Sequence, residues 1–246
     1  WLYWRGLQPI PTDYSVFIHL IDENNLIIAQ RDLFHGRGLY PTSQWQAGHQ
    51  FADTVVLRLP RTTPAPATAH VGVGLYNNLT GARLPASSGG DTATFGKIFI
   101  QPAPGDLPNP QDLQFEDGIR LAGYAIDRQR VAQGDTVNLT LYWESSGQPG
   151  DNYKIFVHLV SEADVRAAQH DSEPQGGSAP TSTWRPGQTI RDTHPLVINS
   201  AASPGAYRLK VGLYNGETGQ RLRLLRDNGV SVQADAVMLG GVRVDP

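Results

Sequence analysis

The 246-residue sequence contains no cysteine. A disulfide framework, a thiolate nucleophile and a cysteine-based zinc site are therefore all excluded. Charge is sparse as well: 17% of residues are Asp, Glu, Lys or Arg, the net charge is −3, and no run of basic residues occurs. Nucleic acid is a poor fit, because phosphate binding needs clustered Lys and Arg. The longest apolar run, Val16 to Ile21, is interrupted by His19 and falls far short of a bilayer crossing. Neither a signal peptide nor a membrane segment is visible within these residues. Apolar content of 39% still fits a folded chain with room for two cores.

What the sequence does contain is a duplication. Tyr14, Phe17, His19, Leu20, Ala29, Gln30, Asp32, Pro41, Thr42, Ser43 and Trp45 return as Tyr153, Phe156, His158, Leu159, Ala168, Gln169, Asp171, Pro180, Thr181, Ser182 and Trp184. His19 to His158 and Trp45 to Trp184 are both 139 positions apart, so the intervening lengths match. This is one folded unit written twice.

The 26 glycines and 18 prolines are dispersed, which suits short strands joined by turns. Val137, Leu139, Leu141 and Trp143 alternate with Asn138, Thr140 and Tyr142, a period-two pattern of a half-buried strand. Its end corresponds to Trp1 to Trp4. A preceding strand, Ile119 to Ile126, has no equivalent in the first copy. The first copy is thus expected to be N-terminally truncated, part of a longer protein, with an exposed sheet edge. Strands are also expected over residues 13–22, 51–59, 152–161, 190–198 and 207–214, with returns through 26–30 and 165–169. Between them lie long polar loops, 34–48 and 172–187, that end in Pro-Thr-Ser-x-Trp. A Pro-rich linker over 103–112 separates a first repeat, 1–102, from a second, complete one, 113–246. The fold class is all-β: two tandem antiparallel β-sandwiches, immunoglobulin-like or fibronectin-like, with a jelly roll as the alternative.

The motifs Leu-Tyr-Trp, Phe-x-His-Leu, Ala-Gln-x-Asp, Pro-Thr-Ser-x-Trp and Gly-Leu-Tyr-Asn-x-x-Thr-Gly-x-Arg-Leu occur in both copies. They resemble uncharacterised sandwich repeats that lie C-terminal to the multi-pass membrane part of bacterial glycosyltransferase-like proteins of the protein mannosyltransferase type. The resemblance implies an extracytoplasmic module, tethered to the membrane through an upstream segment, that serves an enzyme acting on cell-envelope glycans.

Candidate ligand-binding residues are those that both copies carry. Trp45 and Trp184 are placed to stack on a sugar ring or to plug their loops onto the sandwich. Mid-strand His19 and His158 are placed to bind a ligand or a metal with Asp32 and Asp53, or Asp171 and Asp192, or simply to be satisfied core imidazoles. Tyr76, Tyr142 and Tyr214 fall out of phase with the core and would form a shallow platform if they shared a sheet. Arg83 and Arg221 are candidates to hold Asp53 and Asp192. No nucleophile elbow, phosphate loop or His-Glu-x-x-His occurs, so no catalytic residue, cofactor or metal is assigned. The expected function is non-catalytic: binding or positioning a polysaccharide, with a spacer or protein-interaction role as the alternative.

Overall fold

The computed structural model describes residues 1–246. All regular structure is strand, apart from five short 3-10 turns, and no helix is long and apolar enough to cross a membrane. The chain forms two units: one of Trp1–Pro60 with Ala67–Ile100, the other of Gln101–Pro246 with Arg61–Pro66.

The first unit contains β1 (Leu2–Arg5), β2 (Tyr14–Asp22), β3 (Ile27–Leu33), β4 (Gln50–Asp53), β5 (Ala67–Asn77) and β6 (Ala93–Ile100). β1 pairs with β4, and a four-stranded antiparallel sheet runs in the order β3-β2-β5-β6. Val16, Ile18 and Val73 form its buried centre, with Leu2, Trp4 and Leu75 packed around them.

The second unit contains β7 (Leu113–Phe115), β8 (Ile119–Ile126), β9 (Arg130–Val131), β10 (Thr136–Ser145), β11 (Tyr153–Val160) and β12 (Arg166–Ser172). It continues with β13 (Ile190–Val197), β14 (Gly205–Asn215), β15 (Leu224–Asp227), β16 (Val230–Ala234) and β17 (Val237–Val244). One sheet runs β13-β10-β8-β7-β15-β16 and the other β12-β11-β14-β17-β9. All pairings are antiparallel except β17 with β9, where Val131 lies opposite Val244 in parallel. The chain thus leaves the first sheet after β8 and joins the far edge of the second. That switch, with the β10/β13 and β11/β14/β17 pairings, is an immunoglobulin-like arrangement. Inward-facing Val137, Leu139, Leu141 and Trp143 of β10 are all fully buried, as their alternation requires. They meet Ile155, Val157 and Leu159 of β11 and Leu209, Val211 and Leu213 of β14 in one core.

β7, β8 and β9 have no counterparts among residues 1–100. One strand is shorter than the sequence reading expects. The strand expected over 51–59 stops at Asp53, whose partner is Leu2. In the second unit the equivalent strand continues because Thr193 to Val197 pair with Thr140 to Thr136. In the first unit the β1/β4 ladder runs only from Arg5 opposite Gln50 to Leu2 opposite Asp53, and an unpaired strand has no ladder to hold it. The β15/β16 hairpin was not anticipated. It joins the sheet of β7 and β8 through Leu224 opposite Phe115.

Candidate functional site

The two long loops share one set of tethers, and Pro-Thr-Ser-x-Trp is the reason. Thr42 Oγ1 accepts from the Tyr14 amide at 2.9 Å and donates to the Thr12 carbonyl at 2.7 Å. Thr181 Oγ1 repeats both bonds, with the Tyr153 amide at 2.9 Å and the Asp151 carbonyl at 2.6 Å. Each threonine is fully buried and ties the loop to the first residue of the adjoining strand. The following serine amide donates to Asp13 Oδ1 in one unit and to Asn152 Oδ1 in the other. The tryptophans then turn inward. Trp45 and Trp184 are 4% and 1% exposed, and their indole Nε1 atoms donate to the Tyr40 and Ala179 carbonyls. Neither ring offers a face to a sugar. The stacking role is corrected accordingly: these rings are loop plugs, since burying so large an apolar surface is what holds an otherwise irregular segment.

A buried carboxylate completes each anchor. Asp53 Oδ1 accepts from the Gly36 amide at 2.9 Å, and Asp192 Oδ1 from the Gln175 amide at 2.8 Å. The other oxygen takes a histidine, recruited from a different place in each unit. In the first it is His35 Nδ1 at 3.0 Å, with the ring inside a cage of Trp4, Trp45 and Phe51. In the second it is His194 Nε2 at 2.8 Å. A carboxylate only accepts, so His194 carries a proton on Nε2, and its Nδ1 lies 3.0 Å from His170 Nδ1. Burial holds His35 below the ordinary histidine range against the pull of Asp53. His170 is also held low, first by burial and then by the neighbouring His194. Asp53 and Asp192 therefore do not partner His19, His158, Arg83 or Arg221, and those expectations are corrected.

The remaining candidates gather on the outer face of the sheet that contains β2 and β5, or β11 and β14. Phe17 and Phe156 point away from the core, yet are only 2% and 1% exposed. Each lies flat over a glycine of the neighbouring strand: a Cβ on Gly74 would sit 2.2 Å from the Phe17 ring, and one on Gly212 would sit 2.5 Å from Phe156. An arginine closes each ring from above. Arg83 Cζ is 4.2 Å from the Phe17 centroid and Arg221 Cζ is 4.4 Å from that of Phe156. The guanidinium groups are fixed by Asp91 at 3.2 Å and Asp235 at 2.7 Å.

His19 and His158 flank the same rings at 4.8 and 5.1 Å, and Tyr76 and Tyr214 stand 6.4 Å away. An aspartate joins them: His158 Nε2 is 3.3 Å from Asp171 Oδ1. Burial lowers the affinity of both imidazoles for a proton, opposed by Asp32 and Asp171. Burial first, and then the same aspartates, raises the pKa values of Tyr76 and Tyr214. Each unit thus carries one His-Asp-Tyr-Arg cluster around a capped phenylalanine. Tyr142 is outside it. It lies on β10, in the other sheet, so the three-tyrosine platform does not form. The sequence reading missed Phe17, Phe156, Asp91 and Asp235, although the repeated Phe-x-His and the glycine before Leu-Tyr-Asn were the available signal. No group of three or more His, Cys, Asp or Glu side chains is disposed to hold a metal ion.

No protein-family model matches the chain. No curated protein matches it either. Among solved structures it is similar to a Corynebacterium diphtheriae protein described as membrane-anchored, with TM-score 0.32 and 11% identity over 99% of this chain. The chain spans 58% of the length of that protein. It is also similar to the C-terminal domain of the Streptococcus agalactiae antigen I/II polypeptide BspA, with TM-score 0.23 and 10% identity. That match covers 95% of this chain and 85% of the other.

Proposed function

We propose that the chain is a non-catalytic pair of sandwich modules acting as an extracytoplasmic spacer and protein-interaction element. In this reading it is attached to a membrane glycosyltransferase-like enzyme of the kind its repeat motifs resemble. The observation that carries it is the burial of the repeated residues that anchor the long loops. Thr42 and Trp45 of the first loop, Thr181 and Trp184 of the second, and the strand residues Asp53 and Asp192 that bond to the loops are each 5% exposed or less, so these shared residues serve to anchor the loops. A loop held by a threonine bridge, a buried carboxylate and an indole plug is rigid scaffold rather than an adaptable binding surface.

Glycan positioning is the second reading, and one observation favours it. The His-Asp-Tyr-Arg clusters put matched donors and acceptors for sugar hydroxyls on the outer face of the equivalent sheet within each unit. A glycan array probed with the intact chain separates the two. The spacer reading expects no retained glycan. Retention that disappears in folded Asp171→Asn or Tyr214→Phe variants would move the assignment to glycan positioning at this face.

A further inference from the structure

The second unit carries an imidazole pair that the repeated fold does not require. β12 and β13 are edge strands of its two sheets, and His170 and His194 meet where these edges approach each other. Ile190, Asp192, His194 and Leu196 alternate inward along β13, so His194 occupies a core position and is fully buried. The first copy has Val55 at that position and Arg31 at that of His170, each 139 positions earlier. Val55 packs against the first unit's core. Burying an imidazole where a valine serves is costly unless its nitrogens are used. Asp192 uses one nitrogen of His194, as Asp53 uses His35. It accounts neither for the second nitrogen nor for His170.

With a proton on Nε2 facing Asp192 Oδ2, the neutral His194 ring presents the lone pair of Nδ1 to His170 Nδ1, 3.0 Å away. His170 is partly exposed, so the pair is reached from solvent on that side. Two nitrogens held by one ion at about 2.0–2.1 Å lie about 2.8–3.4 Å apart in square-planar or tetrahedral geometry. The observed spacing falls in that range, and the rings, whose planes stand at 78°, need only rotate for both lone pairs to reach one ion. A carboxylate behind a ligating imidazole orients the ring and raises its basicity, which is the position of Asp192. Asp171 adds a second negative charge near His170. Burial first, and then His194, keeps His170 below the ordinary histidine range, so its ring is neutral at neutral pH, as a ligand must be.

We propose that His170 Nδ1 and His194 Nδ1 form a two-imidazole site for a divalent transition-metal ion, Cu²⁺ ahead of Ni²⁺ and Zn²⁺, with Asp192 behind His194 and water completing the coordination. Imidazole suits all three ions, and the general order of divalent affinities puts Cu²⁺ first. Two protein ligands make an exchangeable site rather than a structural one, in keeping with the lack of any cluster of three ligating side chains. The first unit, with Arg31 and Val55 at these positions, has no equivalent pair. The site is independent of whether the outer faces bind a glycan.

The test titrates Cu²⁺ alone into the intact 246-residue chain near neutral pH, read by calorimetry and by electron paramagnetic resonance. A single equivalent should bind more tightly than the rest and show nitrogen hyperfine coupling from imidazole, with Ni²⁺ and Zn²⁺ competing for it more weakly. His170→Ala should weaken that equivalent at least about tenfold. The first unit keeps its strand with Arg31 at this position, so the variant is expected to fold, and circular dichroism checks it. His194→Val, which restores the residue of the first copy, should produce the same loss. The proposal is overturned if no equivalent stands out from the weak background of the other histidines, which is the result for a pair that only shares a proton. It is also overturned if the tight equivalent survives both substitutions in folded chains.

Discussion

Replacing Trp184 by alanine separates a plug from a platform. The indole is 1% exposed and packs into the second unit's core, and its Nε1 donates to the Ala179 carbonyl at 2.9 Å. A buried tryptophan removes roughly 200 Å² from water, which at about 25 cal/mol per Å² gives about 5 kcal/mol as an upper figure. Partial collapse of the loop into the space brings the expected cost to about 3–5 kcal/mol. Urea unfolding followed by far-ultraviolet circular dichroism measures it, with the transition that moves fitted alone because a two-unit chain need not unfold in one step. Trp184→Phe should cost less, about 1–3 kcal/mol, since it keeps most of the packing and leaves the Ala179 carbonyl without its donor. Were the ring a ligand platform, Trp184→Ala would change stability by no more than about 0.5 kcal/mol. A measured loss below about 1 kcal/mol refutes the packing argument.

Gly212→Ala should destabilise the second unit by about 1–3 kcal/mol in the same assay, because the new Cβ would meet the Phe156 ring at 2.5 Å and the Asp235 carbonyl at 2.7 Å. Asp192→Ala strips the Gln175 amide and His194 of their acceptor inside a buried site, and a loss of about 3 kcal/mol or more is expected on unfolding. Arg221→Ala removes an ion pair whose side chains are 39% and 54% exposed and a cation over Phe156; about 1 kcal/mol is expected by denaturant titration. Acid should weaken both units. His19, His35, His158 and His170 are all held below their ordinary value of 6.5, chiefly by burial. Unfolding therefore takes up protons once the pH drops beneath about 6.5, so stability present at pH 7 and above is lost as the pH falls toward the folded-state values. A denaturation midpoint that stays constant from pH 7.5 to about pH 5 would contradict that assignment.

The duplication, the alternating strands and the paired loops were legible because each is a local pattern repeated at fixed spacing. Val137, Leu139, Leu141 and Trp143 announce an inward face by period alone. Which sheet a strand joins is not local information. Tyr142 and Tyr214 have the same outward phase, yet β10 and β14 lie in different sheets, and nothing within either strand says so. The partners of Asp53 and Asp192 were hidden for a related reason. The aspartates repeat, but His35 and His194 enter from different elements, so a search for shared residues passes over both. Arg83 and Arg221 found Asp91 and Asp235, whose spacing from the arginine is not conserved between the copies. The β15/β16 hairpin lay in a stretch without a first-copy counterpart to compare. The 3-10 turns of the loops depend on threonine and carboxylate bridges rather than on any periodicity.

The long loops are anchored scaffold, and amide hydrogen exchange tests this most directly. The amides of Gly36 and Gln175, which donate to buried carboxylates, and of Trp45 and Trp184, which close the 3-10 turns, lie in segments without strand structure. Anchored loops predict that these amides exchange as slowly as those of the adjoining strands β2 and β11, opening only with the whole unit. Exchange of both loops within seconds, while the strands stay protected, would mark them as mobile binding loops and contradict the account.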